Sequence, residues 1–162
     1  MGFSIHIEGL DELTRKMDKL GEKAQKVASE ALYEGAGVVA DQVSQAVHGI
    51  ATKRFKYPAP PGKTRMPSPE EKALVESAKH GVARFKKNGL SVQTSVGFQN
   101  SGYGTLNGKT VPIPKIANAI NSGTSFMDKQ PFFRKAVSTG KGAATARIEA
   151  EIKKRIDELD IG

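Results

Sequence analysis

Apolar residues recur every three or four positions along the N-terminal part of the chain: Leu10, Leu13, Met17, Leu20, Ala24, Val27 and Ala31, then Val38, Val39, Val43, Ala46 and Val47. Charged residues fill the opposite side, which is the pattern of an amphipathic helix. A helix over 11–48 is about 57 Å long at 1.5 Å per residue. A compact chain of this size has a radius of gyration of only about 15 Å. Such a helix must bend, with Gly35 and Gly37 as the natural place, or have part of its stripe buried by another copy. Small residues at 35 and 37 also permit another backbone to come close. The over-long stripe therefore predicts an assembly.

The remaining elements read more simply. Residues 3–8 alternate, with Phe3, Ile5 and Ile7 on one side and Ser4, His6 and Glu8 on the other, as in a half-buried strand. Ser68-Pro69-Glu70-Glu71 is a helix start: Ser68 caps, Pro69 takes the first position, and Glu71 completes a capping box. This helix is expected to run to Lys79 and stop at Gly81. Val82–Lys86 and Leu90–Phe98 predict a hairpin around Lys87-Asn88-Gly89. In its second arm Leu90, Val92, Thr94, Val96 and Phe98 face inward. Residues 99–115 read as turn-rich, with Val111–Pro114 extended by its prolines. Lys115–Asn121 predicts a short helix. Pro131 opens a helix at its first position, Gly140-Lys141-Gly142 interrupts it, and Ile148, Ile152, Ile156 and Leu159 line a last helix. The length of 162 residues suits one domain, 1–162.

Several chemistries lack their residues. With no Cys, disulfides, thiolate metal sites and thiol catalysis are excluded. No apolar run approaches a membrane span, and the N-terminus lacks the pattern of a signal peptide. His6, His48 and His80 have no metal-ligand spacing. Pro61-Gly62-Lys63-Thr64 imitates the tail of a phosphate-binding loop, but Tyr57 stands where the motif needs Gly, and prolines remove amide donors. The acidic pairs Asp11-Glu12 and Glu70-Glu71 sit at helix starts, and Glu149 and Glu151 are expected on a solvated helix face. No catalytic, metal or cofactor site is expected.

Charge is unevenly distributed. The net charge is +8, and residues 51–115 hold 12 basic against 3 acidic side chains, whereas residues 1–50 hold 5 against 8. The densest part is a Pro-rich basic arm at 51–68. It carries Lys53, Arg54, Lys56, Lys63 and Arg65 with Phe55 and Tyr57 interleaved, and no acid. Mutual repulsion and four prolines predict a mobile arm suited to an acidic partner surface or a polyanion. A nucleic-acid-binding role is the alternative that this charge permits. In a chain with only 6% aromatic residues, Phe126, Phe132 and Phe133 form a cluster that is either core or an intersubunit anchor.

Taken in order, Ile7-Glu8-Gly9-Leu10-Asp11-Glu12-Leu13, the long helix, the basic loop, Leu74-Val75-Glu76-Ser77, Ser95-Val96-Gly97, Asn121-Ser122-Gly123-Thr124 and Gln130-Pro131-Phe132-Phe133-Arg134-Lys135-Ala136 resemble the tail-completion, or head–tail joining, proteins of long-tailed bacteriophages and prophages. Gly123-Thr124 followed by Gln130-Pro131-Phe132 is the most specific piece. Lys72-Ala73 stands where the family usually has Thr-Gly. The resemblance implies a small α+β fold: an antiparallel sheet with a long N-terminal helix and a C-terminal helix. It also implies a structural virion protein without catalysis, in a six-fold homo-oligomeric ring at the neck or head-proximal end of the tail. Such a ring is assembled in the host cytoplasm, contacts neighbouring neck and tail proteins, and lets DNA pass its lumen without specific binding. The residues expected at its subunit or partner interfaces are Lys53, Arg54, Lys56, Lys63, Arg65, Gly123, Thr124, Phe126, Pro131, Phe132 and Phe133. No membrane contact is expected.

Overall fold

The computed structural model describes residues 2–4, 22–54, 62–88, 91–99 and 102–160. Among them the elements run β1 (Gly2–Ser4), α1 (Glu22–His48), α2 (Pro69–Ser77), β2 (Lys79–Asn88), β3 (Ser91–Gln99), β4 (Tyr103–Leu106), β5 (Lys109–Pro112), α3 (Ile113–Ser122) and α4 (Phe132–Asp160). The fold is α+β. The expected helix over 10–21, strand residues 5–8 and the hairpin turn at 89–90 lie outside the described residues. The described residues form two compact units, one within 41–80 and 98–139, the other within 2–40, 81–97 and 140–162.

In the second of these units α1 and α4 pack together. Val27 and Ala31 of α1 meet Ile148, Ile152 and Ile156 of α4, with Leu32 and Leu159 against them. The spacing of four on both helices puts each set on one face. Polar pairs border this seam: Arg147 donates to Glu34 at 2.9 Å, and Arg155 bonds Glu151 at 2.9 Å and pairs with Glu30. Glu151 is thus buried at 7% exposure, not on the solvated face expected for it. Arg155, one turn along α4, supplies the charge that makes this burial tolerable.

Both long helices run unbroken through their glycines. At Gly35 the backbone of α4 comes so close that an added Cβ would meet the Ile148 side chain and lie 3.1 Å from the Ala144 carbonyl oxygen. Close approach, not a break, is what this glycine provides. The interruption expected at Gly140–Gly142 is absent, and α4 has 29 residues. Each interior Gly costs about 1 kcal/mol in a helix. The buried residues on either side, Phe132, Phe133 and Ala136 before and Ala144 and Ile148 after, outweigh that cost by packing.

The unit also contains a three-stranded sheet in the order β1-β3-β2. β1 pairs antiparallel with β3, Phe3 opposite Val96. Thr94 and Val96 are buried and Gln93 is exposed, the alternation read from the sequence. The Thr94 hydroxyl is buried without a hydrogen-bond partner.

In the first unit, α2 ends at Ser77 rather than near Lys79. Ala78 caps it in an extended conformation, and β2 begins at the next residue. Residues 103–112, read as turns, form an antiparallel hairpin with Leu106 opposite Lys109. Its two-residue turn, Asn107-Gly108, has φ of 51° and 73°, the left-handed pair that this hairpin geometry needs. α3 then starts at Ile113, with Pro114 in its first turn, where a missing amide hydrogen does no harm. α2 packs on α3 and β4.

Two pairs of variants check this packing by urea unfolding. Gly35→Ala is expected to lose about 1–3 kcal/mol through overpacking. Gly37→Ala, where an added Cβ meets nothing within 4 Å, is expected to gain about 0.5–1 kcal/mol of helix propensity. Equal effects at both sites would refute the close approach. Thr94→Val removes the unpartnered hydroxyl at constant shape and is expected to stabilise by about 1 kcal/mol, whereas Thr94→Ser is not.

Candidate functional site

Several of the described residues singled out in the sequence meet at one corner of the first unit. α3 ends at Gly123, whose φ of 76° turns the chain and whose amide donates back to Ala119 at 2.9 Å. A tight turn follows. The Thr124 amide donates to the Met127 carbonyl at 3.0 Å, the Met127 amide returns to Thr124, and the Thr124 hydroxyl accepts from the Phe126 amide at 3.3 Å. The Gln130 amide then donates to Ile120 at 2.8 Å.

The ends of the basic arm are attached to this turn. Arg65 and Met127 form a parallel bridge: the Arg65 amide donates to the Phe126 carbonyl at 3.0 Å, and the Asp128 amide to the Arg65 carbonyl at 2.8 Å. The Thr64 hydroxyl donates to the Asp128 carboxylate. At the other end, the Gln130 side-chain amide clasps Ala51 by both backbone groups, at 3.0 and 2.8 Å. The Lys53 amide donates to the Pro67 carbonyl at 3.0 Å. Ala51, Lys53, Thr64, Arg65 and Pro67 are therefore bonded to the fold, so the mobile arm expected over 51–65 does not include its described ends, while residues 55–61 lie outside the described residues. The proline-rich sequence forbids regular structure but leaves amides that a side-chain amide and a neighbouring carbonyl can satisfy.

The five arm cations separate. Arg65 turns inward. Its Nη1 and Nη2 donate to the two Glu71 carboxylate oxygens at 2.7 and 2.6 Å, with the side chains only 10% and 6% exposed. Glu71 Oε2 also accepts the Ser68 amide at 2.8 Å, and Ser68 Oγ accepts the Glu71 amide at 3.2 Å, completing the predicted capping box. Arg65 is thus spent on the fold and leaves the set of partner contacts expected from sequence. A buried carboxylate three residues beyond Ser68 demands a bidentate cation, and among the described arm cations Arg65 supplies it. Lys53, Arg54 and Lys63 are exposed. Lys56 lies outside the described residues. Arg54 faces Glu70, whose carboxyl is held below its ordinary value first by a hydrogen bond from its own backbone amide, then by the Ser68 side chain and the Arg54 charge.

The aromatic cluster also divides. Phe132 and Phe133 are buried, but Phe126 is 52% exposed. In the turn 124–127 Met127 is buried at 3% exposure, whereas Ser125 and Phe126 at its bend are exposed. Pro131 sits one residue before α4, not at its first helical position: its carbonyl accepts the Lys135 amide at 3.1 Å. Pro131 has no side-chain acceptor, and Asn121 caps the helix by accepting the Phe133 amide at 3.0 Å.

The outward side of this corner presents one aromatic ring and a set of cations. Thr64, Arg65, Met66, Asp128 and Lys53 line a cleft of about 390 Å³. A wider one of about 790 Å³ lies between Arg54, Ser68 and Glu70 and the hairpin residues Leu106, Asn107, Lys109 and Val111. Among the described residues, no three of His, Cys, Asp or Glu gather to hold a metal ion, and no helix is long and apolar enough to cross a membrane. The His48 imidazole bonds Glu76 at 3.1 Å. Such a surface can bind, by charge and by one apolar anchor. Sequence reasoning missed the clasp of Gln130 on Ala51 and the Arg65–Glu71 pair, for which no spacing rule exists. It also missed the hairpin, whose Asn107-Gly108 signal was present.

Arg65→Ala leaves the Glu71 carboxylate buried and unpaired, and is expected to destabilise the protein by about 3–5 kcal/mol. Adding Glu71→Gln, which keeps an acceptor for the Ser68 amide, should restore most of that loss. Thermal melts of the single and double variants test this, and a double variant no more stable than Arg65→Ala would sink the account.

No family model, no curated protein and no solved structure matches the chain.

Proposed function

We propose that the chain is a structural virion protein of a long-tailed phage or prophage. In this reading it forms a homo-oligomeric, six-fold ring at the neck or the head-proximal end of the tail, and joins or completes head and tail. The observation that carries the reading is the corner around residues 121–136. The most specific piece of the resemblance, Gly123-Thr124 to Gln130-Pro131-Phe132, is one hydrogen-bonded turn that clamps both ends of the basic arm. It holds Phe126 and the exposed Lys53, Arg54 and Lys63 on the outside. A cationic surface with one aromatic anchor suits a protein that docks on acidic neighbours.

The exposed cations meet acidic protein surfaces in neighbouring subunits or the next ring, not DNA in the lumen. Each phosphate contact adds affinity and salt dependence, and multiplied around a ring such contacts would retard the exit of DNA. No catalysis and no cofactor belong to this function. A nucleic-acid-binding role is the second reading, favoured by the 12 basic against 3 acidic side chains of residues 51–115.

Charge reversal at two exposed positions, Lys53→Glu with Arg54→Glu, is expected to leave the fold intact and to block the joining of heads to tails. Electron microscopy of particles assembled with the variant should show separate full heads and tails. Normal particles with an altered rate of DNA ejection would instead put these cations in the lumen. Tight, salt-dependent DNA binding by the purified wild-type protein, lost in the variant, would favour the second reading.

A further inference from the structure

β4 and β5 form a two-stranded ribbon whose hydrogen bonds can be phased. The Ile113 amide donates to the Gly102 carbonyl at 3.1 Å, one step beyond the pairing of Tyr103 with Pro112. Bonded and non-bonded pairs alternate along an antiparallel ladder. Gly104 with Val111 and Leu106 with Lys109 are therefore the bonded pairs, and Tyr103 with Pro112 and Thr105 with Thr110 the non-bonded ones. Pro112, which has no amide hydrogen, stands where none is needed. The main-chain N–H and C=O of Tyr103 and Thr105 thus point away from β5. Among the described residues they have no hydrogen-bond partner. Their side chains share the outer face of the ribbon, where Tyr103 is 72% exposed and Thr105 is exposed as well. Leu74 of α2 lies over Gly104 on the opposite face, where an added Cβ would run into it.

An open strand edge is ordinarily blunted by a charge or a proline. β2 carries Lys79, Arg84, Lys86 and Lys87, and β5 carries Lys109 and Pro112. β4, Tyr103-Gly104-Thr105-Leu106, carries neither. We propose that the outer edge of β4 docks on β4 of a second copy, antiparallel about a two-fold axis at Gly104. Tyr103 of each copy then exchanges both main-chain bonds with Thr105 of the other, and two ribbons become one four-stranded sheet. The edge is self-complementary: two outward residues, two apart, meet the same two in reverse order. Each Tyr103 ring lies beside Thr105 of the other copy, a favourable cross-strand pair of aromatic and β-branched side chains. Charge selects the occupant. The chain carries a net +8, so copies repel wherever their cations meet, and β4 is an edge that brings none. A ribbon of two strands is marginal by itself in water, and β4 is the side on which it can gain a third. The contact is isologous, unlike the head-to-tail contacts of a ring, and does not rest on the ring reading.

Amide exchange followed by NMR at low and high protein concentration tests this, with sedimentation reporting the association. The Tyr103 and Thr105 amides should exchange freely in dilute protein and slow by about tenfold or more as dimer forms, whereas those of Gly104 and Leu106 are protected throughout. Thr105→Pro removes an outward donor from each copy without touching the β4–β5 ladder. It should weaken dimerisation by about tenfold or more and leave Gly104 and Leu106 protected. A chain with Tyr103→Lys and Thr105→Lys, and another with Tyr103→Glu and Thr105→Glu, should each stay monomeric alone and pair when mixed. A wild-type chain that remains monomeric up to about 1 mM would overturn the proposal. So would self-association that Thr105→Pro leaves at wild-type strength, or a dimer in which the Tyr103 and Thr105 amides still exchange freely. Protection of these two amides at every dilution would also overturn it, because the edge would then be covered within the single chain.

Discussion

The pairing of Arg65 with Glu71 holds the corner of the first unit together. Glu71 ends a capping box, and a carboxylate in that position normally looks into solvent. Here it is buried, so its charge must be met at both oxygens. The guanidinium does this only if residue 65 is brought alongside α2. Once it is there, the backbone of residue 65 is available to bridge Met127. One ion pair therefore fixes three things: the start of α2, the path of the chain into Ser68, and the seat of the turn that carries Phe126. Replacing such a pair with apolar residues is often neutral in stability, so its value here lies in specifying where the loop runs.

Around that pair the corner is built by substitution of one kind of partner for another. The arm has no ladder to join, so a glutamine amide takes the place of a neighbouring strand at Ala51. α4 starts after a proline that cannot cap, so an asparagine from the end of α3 caps it. These contacts bring residues 51, 65, 121 and 130 into one network. They fix the backbone at the two described ends of the proline-rich cationic loop. An anchored backbone has less conformational entropy left to lose than a free tail.

The second unit follows a different rule. Its helices are joined by a seam of small and branched residues, with Gly35 allowing the backbones near each other and ion pairs bordering the apolar stripe. A stripe with a period near 3.6 buries well against one partner helix. Two glycines in the middle of α4 did not stop it, because burial on either side of Gly140–Gly142 exceeds their local penalty. Beside the first turns of α1 the seam borders a cavity where Val27 and Leu159 stand among the charged Lys23, Lys26, Glu30, Arg155 and Glu158.

Local chemistry was legible from residues alone. The capping box at Ser68 and Glu71, the alternation through Thr94 and Val96 and the stripe of α1 over 22–48 all depend on neighbours within a turn or a strand. Spacing is enough to state them. The positively charged arm and its outward Lys53, Arg54 and Lys63 could also be read, since charge density is a property of composition. Tertiary structure decided what pairs across distance. That Arg65, of five similar cations, would be buried against Glu71, that Gln130 would hold Ala51, and that Phe126 would part from Phe132 and Phe133 depend on which segments meet. Identical side chains take opposite roles there, because burial converts a charge that costs nothing in water into one that must be paired. The outward direction of the Phe126 ring follows from its place at the bend of the turn 124–127, which pairing between Thr124 and Met127 and between Arg65 and Met127 holds in place.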